Sequence, residues 1–180
     1  MLFIRHFLLA VQFFTRIPIT GRLAEWVGFS PDMLRASAGH LPGVGVLVGA
    51  TAAGVYGALA VLLPASPFTP LVAAVLSTVA SVLLTGGFHE DGLADVADGL
   101  GGSPDKARAL QIMKDSRVGA FGAMAVSLTL LCKVALVALL GSMETELLPL
   151  CSALFAAHVV SRSLPLLLIA WLPHVGDSAV

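Results

Sequence analysis

Four stretches of this chain, at about 44–63, 68–88, 120–140 and 147–172, run for some twenty residues each with hardly a charge. An α-helix needs about 20 apolar residues to cross the ~30 Å hydrocarbon core of a bilayer, and open sheets cannot cross it at all. Charged residues make up 12% of the chain, about half the share usual in a soluble domain. The expected fold is therefore all-α: a polytopic integral membrane protein, one membrane domain over residues 1–180, with about four transmembrane helices in a lipid bilayer. A net charge of −1 argues against a nucleic-acid partner. Cys132 and Cys151 lie inside apolar runs and read as packed small hydrophobes.

Residues 2–14 are apolar but too short to span, and Arg5 and Gln12 interrupt them. They read as an N-terminal interfacial or re-entrant helix. The run Phe7–Phe14 has no small-residue cleavage site before Arg16, so no removable signal peptide is expected. A polar loop is expected to His40. In the first span Gly45, Gly49, Ala53 and Gly57 recur every fourth residue, the small-xxx-small pattern that lets helix backbones approach closely. The fourth block contains Pro149, His158, Arg162 and Pro165, and one kinked helix or two broken ones both fit it. Lys and Arg at 5, 16, 22 and 35 precede the first span, and those at 106, 108, 114 and 117 separate the second from the third. The 64–67 and 141–146 connections have none. Excess positive charge marks cytoplasmic loops, so the N-terminus and segment 89–119 are expected on the cytoplasmic side of a bacterial inner membrane.

That segment opens with T-G-G-F-H-E-D-G-L-A-D-V-A-D-G-L-G-G, Thr85 to Gly102. At about 100° per residue, Asp91, Asp95 and Asp98 fall within roughly 60° of one helix face, whereas His89 and Glu90 point elsewhere. Clustered carboxylates repel unless a cation lies between them, and hard divalent ions prefer oxygen. The three aspartates are thus the candidate metal ligands of a cytoplasmic Asp-rich loop or helix. The bland reading is a solvated helix start favoured by the macrodipole. Gly92, Gly99, Gly101 and Gly102 make a poor helix for that purpose alone, and bare backbone there suits close approach of a bulky anion. The spacing matches no EF-hand loop, and His89-Glu90 lacks the second histidine of a zinc peptidase.

Ser103-Pro104 signals a further helix, expected to run to Gly119 with Ser103 as cap. Arg108 and Asp115 would share one of its faces, and Lys114 and Arg117 another. Cations beside a carboxylate-bound metal are what a pyrophosphate requires. Asp115 is expected as base or further ligand, Lys114 and Arg117 as neutralisers of phosphate oxygens, and Ser116 as a donor to one. Gly92 and Gly99 are expected at the bound phosphate. Lys133 and Arg162 are charges at membrane depth, where each costs at least about 2.5 kcal/mol and usually faces a partner or wet cavity. Arg162 is a candidate for substrate phosphate or a carboxylate. His158 is set aside as a helix–helix hydrogen bonder.

The pairing of T-G-G-F-H-E-D-G-L-A-D-V-A-D-G-L-G-G with Q-I-M-K-D-S-R-V-G-A-F-G closely resembles the cobalamin synthase (adenosylcobinamide-GDP ribazoletransferase) family. Q-F-F-T-R-I-P, L-P-G-V-G-V-L-V-G-A and Ser161-Arg162 look like that family too. The resemblance implies a magnesium-dependent membrane enzyme that joins adenosylcobinamide-GDP to α-ribazole or its 5′-phosphate. The 5′ end of the acceptor would attack the cobinamide-linked phosphorus, and GMP would leave. Members usually have Leu where this chain has Glu90. They also continue past the equivalent of Val180 through further helices and a G-G-x-T-G-D segment, so a fragment or shortened member is expected. A homo-oligomer is left open. Rival readings are another magnesium-dependent pyrophosphate enzyme of the membrane (a CDP-alcohol phosphotransferase or UbiA-like prenyltransferase), an ion transporter lined by Lys133, Arg162 and the aspartates, and a non-catalytic assembly subunit.

Overall fold

Two consecutive glycines set the shape of the structure. In the computed structural model, which describes residues 1–143 and 146–172, Gly86 and Gly87 have φ of 66° and 75°. This left-handed conformation costs glycine nothing and other residues about 1 kcal/mol or more. The amide of Gly86 donates to the Leu83 carbonyl and that of Gly87 to Val82, closing the preceding helix. The expected second span at 68–88 is therefore two helices meeting at 86°.

The chain forms α1 (Leu2–Phe14), α2 (Gly21–Val27), α3 (Pro31–Ser37), a 3₁₀ turn (Ala38–His40), α4 (Leu41–Leu62), α5 (Thr69–Thr85), α6 (Phe88–Gly102), α7 (Lys106–Met113), α8 (Ala120–Met143) and α9 (Leu147–Trp171). No strand occurs among the described residues. Three helical stretches are long and apolar enough to cross a membrane, and a fourth is reached if the bent α5–α6 pair counts as one span. With 17 residues, α5 rises only about 25 Å. The protein is a multi-pass, all-α membrane protein. Part of the 141–146 connection and the end at Val180 lie outside the described residues.

The expected polar loop before His40 is largely helical. Ser30 caps α3 by accepting the Met33 N–H, and Pro31 occupies the first turn, where its missing N–H is harmless. Leu9 of α1, Ile19 and Val27 close an apolar cluster there. The fourth apolar block is one helix, α9, with Pro165 inside it.

Helix α4 packs on α9 and α5, α5 on α8, and α6 on α7 and α8. Tyr56 lies 2% exposed in a core with Ala73, Ala74, Leu150 and Leu154. The outer side of α8 leaves Phe121, Leu128, Leu131, Leu136 and Leu139 exposed, a surface suited to lipid.

The glycine stripe does what its spacing predicts. A Cβ on Gly45 would stand 2.8 Å from the His158 carbonyl oxygen, and one on Gly49 2.8 Å from that of Phe155. Both obstacles are α9 backbone, which cannot step aside as a side chain can. Gly49→Leu is expected to lower stability by about 3 kcal/mol or more through overpacking. Gly54→Ala, with nothing within 4 Å of the new methyl, should be neutral or slightly stabilising. Thermal unfolding of both variants in detergent micelles compares the two.

Candidate functional site

The α5–α6 bend carries the aspartate helix away from the apolar bundle and docks the N-terminal segment against it. The Arg16 amide donates to the Leu84 carbonyl at 2.7 Å. Its guanidinium lies against Gly86, where a Cβ would overlap it. Thr15 is buried and accepts the Ile17 N–H at 3.1 Å, which fixes the turn into Ile17-Pro18. Between this segment, the bend and the start of α8 lies a cavity of about 730 Å³, whose lining includes Arg16, Glu90 and Asp91. Sequence reasoning does not single out Arg16 as a site residue. Its signal is present in Q-F-F-T-R-I-P, but nothing in that string says the cation folds back onto Gly86.

The three aspartates share a face of α6 but not a task. Asp91 is exposed and lines the cavity. Asp95, one turn on, is half-buried. Asp98 is 8% exposed, and its two oxygens accept the backbone N–H groups of Gly119 at 2.7 Å and Gly122 at 2.8 Å. Gly119 and Gly122 have no side chain because a Cβ on either would overlap that carboxylate. Asp98 thus caps α8 from a neighbouring helix, satisfying N-terminal amides that have no intrahelical partner. It also ties the D-G-L-A-D-V-A-D-G stretch to R-V-G-A-F-G.

Among the described residues no three His, Cys, Asp or Glu side chains converge as a ready metal site. The expected three-aspartate ligand set is not assembled, because Asp98 is spent on backbone amides. Magnesium commonly takes one or two carboxylates and completes its shell with water and substrate phosphate. Asp91 and Asp95 fit that smaller requirement.

The second motif lies at the protein surface. Helix α7 ends at Met113 instead of continuing to Gly119, and Asp105, not Ser103, caps it by accepting the Arg108 N–H at 2.8 Å. Ser103 accepts the Asp105 N–H instead. The expected Arg108–Asp115 face does not form. Arg108 donates to Gln111, while Asp115 accepts from the backbone and guanidinium of Arg117. These hydrogen bonds hold the Asp115 carboxyl below the usual carboxylate range. Lys114, Ser116 and Arg117 are exposed on the same short loop. Only Val118 of Lys114–Val118 lines the cavity.

Of the glycines, Gly92 is open, with nothing within 4 Å of the point where a methyl would stand. Gly99 is occupied by helix packing, since a Cβ there would stand 2.6 Å from Met113 and 3.0 Å from the Ala109 carbonyl. Arg162 is 8% exposed and faces a second cavity, of about 560 Å³, inside the bundle. Phe88 and Glu90 line both cavities and stand between them. His158, expected only as a helix–helix hydrogen bonder, holds Arg162 through its Nδ1 at 3.0 Å.

The chain matches a family model described as cobalamin-5-phosphate synthase over residues 6–179. It is 67% identical over 190 residues to a protein of Polaromonas naphthalenivorans (strain CJ2) named adenosylcobinamide-GDP ribazoletransferase, covering 99% of this chain and 68% of that one. Proteins of the same name from Albidiferax ferrireducens and Leptothrix cholodnii are 69% and 47% identical, covering 98% and 97% of this chain and 62% of each relative. The chain spans about two thirds of the length of these curated relatives. No solved structure matches it. The two motifs that Asp98 ties together lie within the matched region, and the chain belongs to the cobalamin-5-phosphate synthase family.

Proposed function

We propose that this chain carries the ribazole-transferring chemistry named for its relatives: the adenosylcobinamide-phosphate group of adenosylcobinamide-GDP passes to α-ribazole or its 5′-phosphate, and GMP leaves. The observation that carries the reading is the Asp98 tie, which sets the Lys114–Arg117 loop beside the helix bearing Asp91 and Asp95. Pyrophosphate chemistry needs carboxylates and cations together.

The family's description places a phosphate on the 5 position of the product. If the acceptor brings that phosphate with it, its 5′ oxygen is already esterified and cannot be the nucleophile. The 5′ attack anticipated from the sequence gives way to attack by another ribose hydroxyl. That oxygen bonds to the cobinamide-linked phosphorus as the bond to the GMP oxygen breaks, so the pyrophosphate is exchanged for a phosphodiester. The hydroxyl proton is lost and the departing GMP carries the negative charge.

Asp91 and Asp95 would hold Mg²⁺, which when bound would neutralise and orient pyrophosphate oxygens. Arg16 and the Lys114–Arg117 loop supply the remaining positive charge, with Ser116 as a donor. Asp115 is a poor base while Arg117 holds it. Transfer of Arg117 to a phosphate oxygen releases it to take the hydroxyl proton. Arg16 lies against the α5–α6 bend, and Lys114 and Arg117 belong to the loop tied to α6. Cations gathered there favour a cytoplasmic site on an inner membrane.

The test incubates the purified protein in lipid with adenosylcobinamide-GDP, ribazole 5′-phosphate and Mg²⁺. GMP and a cobalamin phosphate should appear in equal amounts, and chelation should stop both. GMP release that ignores the acceptor, or ion flux without turnover in proteoliposomes, would overturn the reading.

A further inference from the structure

The chamber behind α6 has a composition that helix packing does not require. It lies between α1, α4, α5, α6, α8 and α9, and its wall includes Glu90, Lys133 and Arg162 among apolar side chains such as Phe14 and Leu154. Among the described residues, Lys133 is held by a long 3.4 Å contact to Ser81 Oγ. Arg162 places one nitrogen, Nη1, 3.0 Å from His158 Nδ1, with longer contacts from that nitrogen to Ser161 Oγ at 3.2 Å and to the His158 carbonyl at 3.4 Å, all within its own helix. The Nε of Arg162, Nε2 of His89 and Oε2 of Glu90 are all buried and, among the described residues, without a hydrogen-bond partner. Glu90 is within electrostatic reach of both cations, yet among the described residues no ion pair joins it to either. Two cations thus face one carboxylate across a space of about 560 Å³. Buried charge left short of a partner is costly, and polar atoms left open in such a place point to a ligand.

We propose that this chamber is the subsite for the non-reacting phosphate of the acceptor nucleotide, with Lys133 and Arg162 as its binding residues. The inference rests on the reaction proposed above and adds where one substrate sits. That reaction handles two kinds of phosphorus. The pyrophosphate is attacked and needs the carboxylate-lined cavity. The acceptor's own phosphate passes through unchanged, so it needs cations and no metal, and this chamber offers those. A guanosine leaving group brings no phosphate beyond the pyrophosphate and would leave the two cations unanswered. The partition made of Phe88 and Glu90 is shared by both cavities, so a nucleotide held in one presents its ribose toward the other. Glu90 supplies one counter-charge while the chamber is without ligand and repels the phosphate when it enters.

Equilibrium binding to the purified full chain, without the second substrate, tests this apart from turnover. Ribazole 5′-phosphate should bind more tightly than ribazole. Lys133→Met should weaken the phosphorylated ligand about 10- to 100-fold, the range of a charge-assisted hydrogen bond, and leave ribazole unchanged. Lys133→Arg should restore much of the loss. Glu90→Leu should tighten the phosphorylated ligand several-fold, a gain that a damaged fold cannot mimic. Equal binding of both ligands to the parent protein, or Lys133→Met and Glu90→Leu affinities equal to the parent's, would overturn the subsite. If the parent turns over while Lys133→Met keeps its KM for the phosphorylated acceptor, the subsite fails and the reaction stands. If phosphate-selective binding persists in a chain with no turnover, the reaction fails and a nucleotide-phosphate chamber remains.

Discussion

Asp91→Asn is expected to abolish magnesium-dependent turnover, by about 10³-fold or more, without disturbing the fold. The side chain is exposed and lines the cavity, and the residue's amide makes a helical hydrogen bond to the Gly87 carbonyl, which the substitution leaves in place. Asparagine keeps the shape and one acceptor oxygen but removes the charge proposed to hold a divalent ion. A loss of that size corresponds to about 4 kcal/mol in the barrier, comparable to deleting a main electrostatic contact to a transition state. Thermal unfolding and acceptor binding should match the parent protein. Raising magnesium should recover part of the rate, because Asp95 and substrate phosphate still offer oxygens. Turnover within about threefold of the parent at equal magnesium would remove Asp91 from the machinery.

Much of this architecture is legible from composition and spacing, because a bilayer leaves the chain so few options. The spans at 44–63, 120–140 and 147–172 come from length and apolarity alone, and the helices Leu41–Leu62, Ala120–Met143 and Leu147–Trp171 cover them. The 68–88 stretch misleads because hydropathy is blind to backbone handedness. Gly86-Gly87 counts as apolar in a window but turns the chain by 86°. The continuity of α9 through Pro165 is equally invisible, since neighbouring helices decide whether a freed carbonyl is tolerated.

At the site, helical periodicity puts Asp91, Asp95 and Asp98 on one face, and it stops there. It cannot show that the start of another helix lies against one end of that face and absorbs Asp98. Nor can it find Arg16, which reaches the bend across about seventy residues of chain. Periodicity turns Glu90 away from the face of the three aspartates, yet in the structure it lines the cavity beside Asp91 and the chamber behind α6 as well. The cations of that chamber come from α8 and α9, and no local pattern announces them.

Asp98→Asn separates the structural account from the sequence account most sharply. If the three aspartates are equivalent metal ligands, Asp98→Asn should resemble Asp91→Asn: normal stability and weakened magnesium response. The geometry predicts the reverse. Both oxygens of Asp98 accept backbone N–H groups in a buried setting, and an amide has a single oxygen to offer. Its NH₂ would be forced against the Gly119 or Gly122 N–H, donor to donor. Hydrogen bonds to a charged group contribute about 1.5–3 kcal/mol each, and an unsatisfied buried donor costs about 1–3 kcal/mol more. A loss of about 3 kcal/mol or more in stability is therefore expected, seen as an earlier thermal unfolding in micelles. Turnover should fall too, because the Lys114–Gly119 loop loses its tether to α6. The concentration of magnesium giving half-maximal rate in the surviving fraction should stay near the parent value, since Asp91 and Asp95 are untouched. An Asp98→Asn protein as stable as the parent, with its half-maximal magnesium raised tenfold, would return Asp98 to the metal and dissolve the tie between the two motifs.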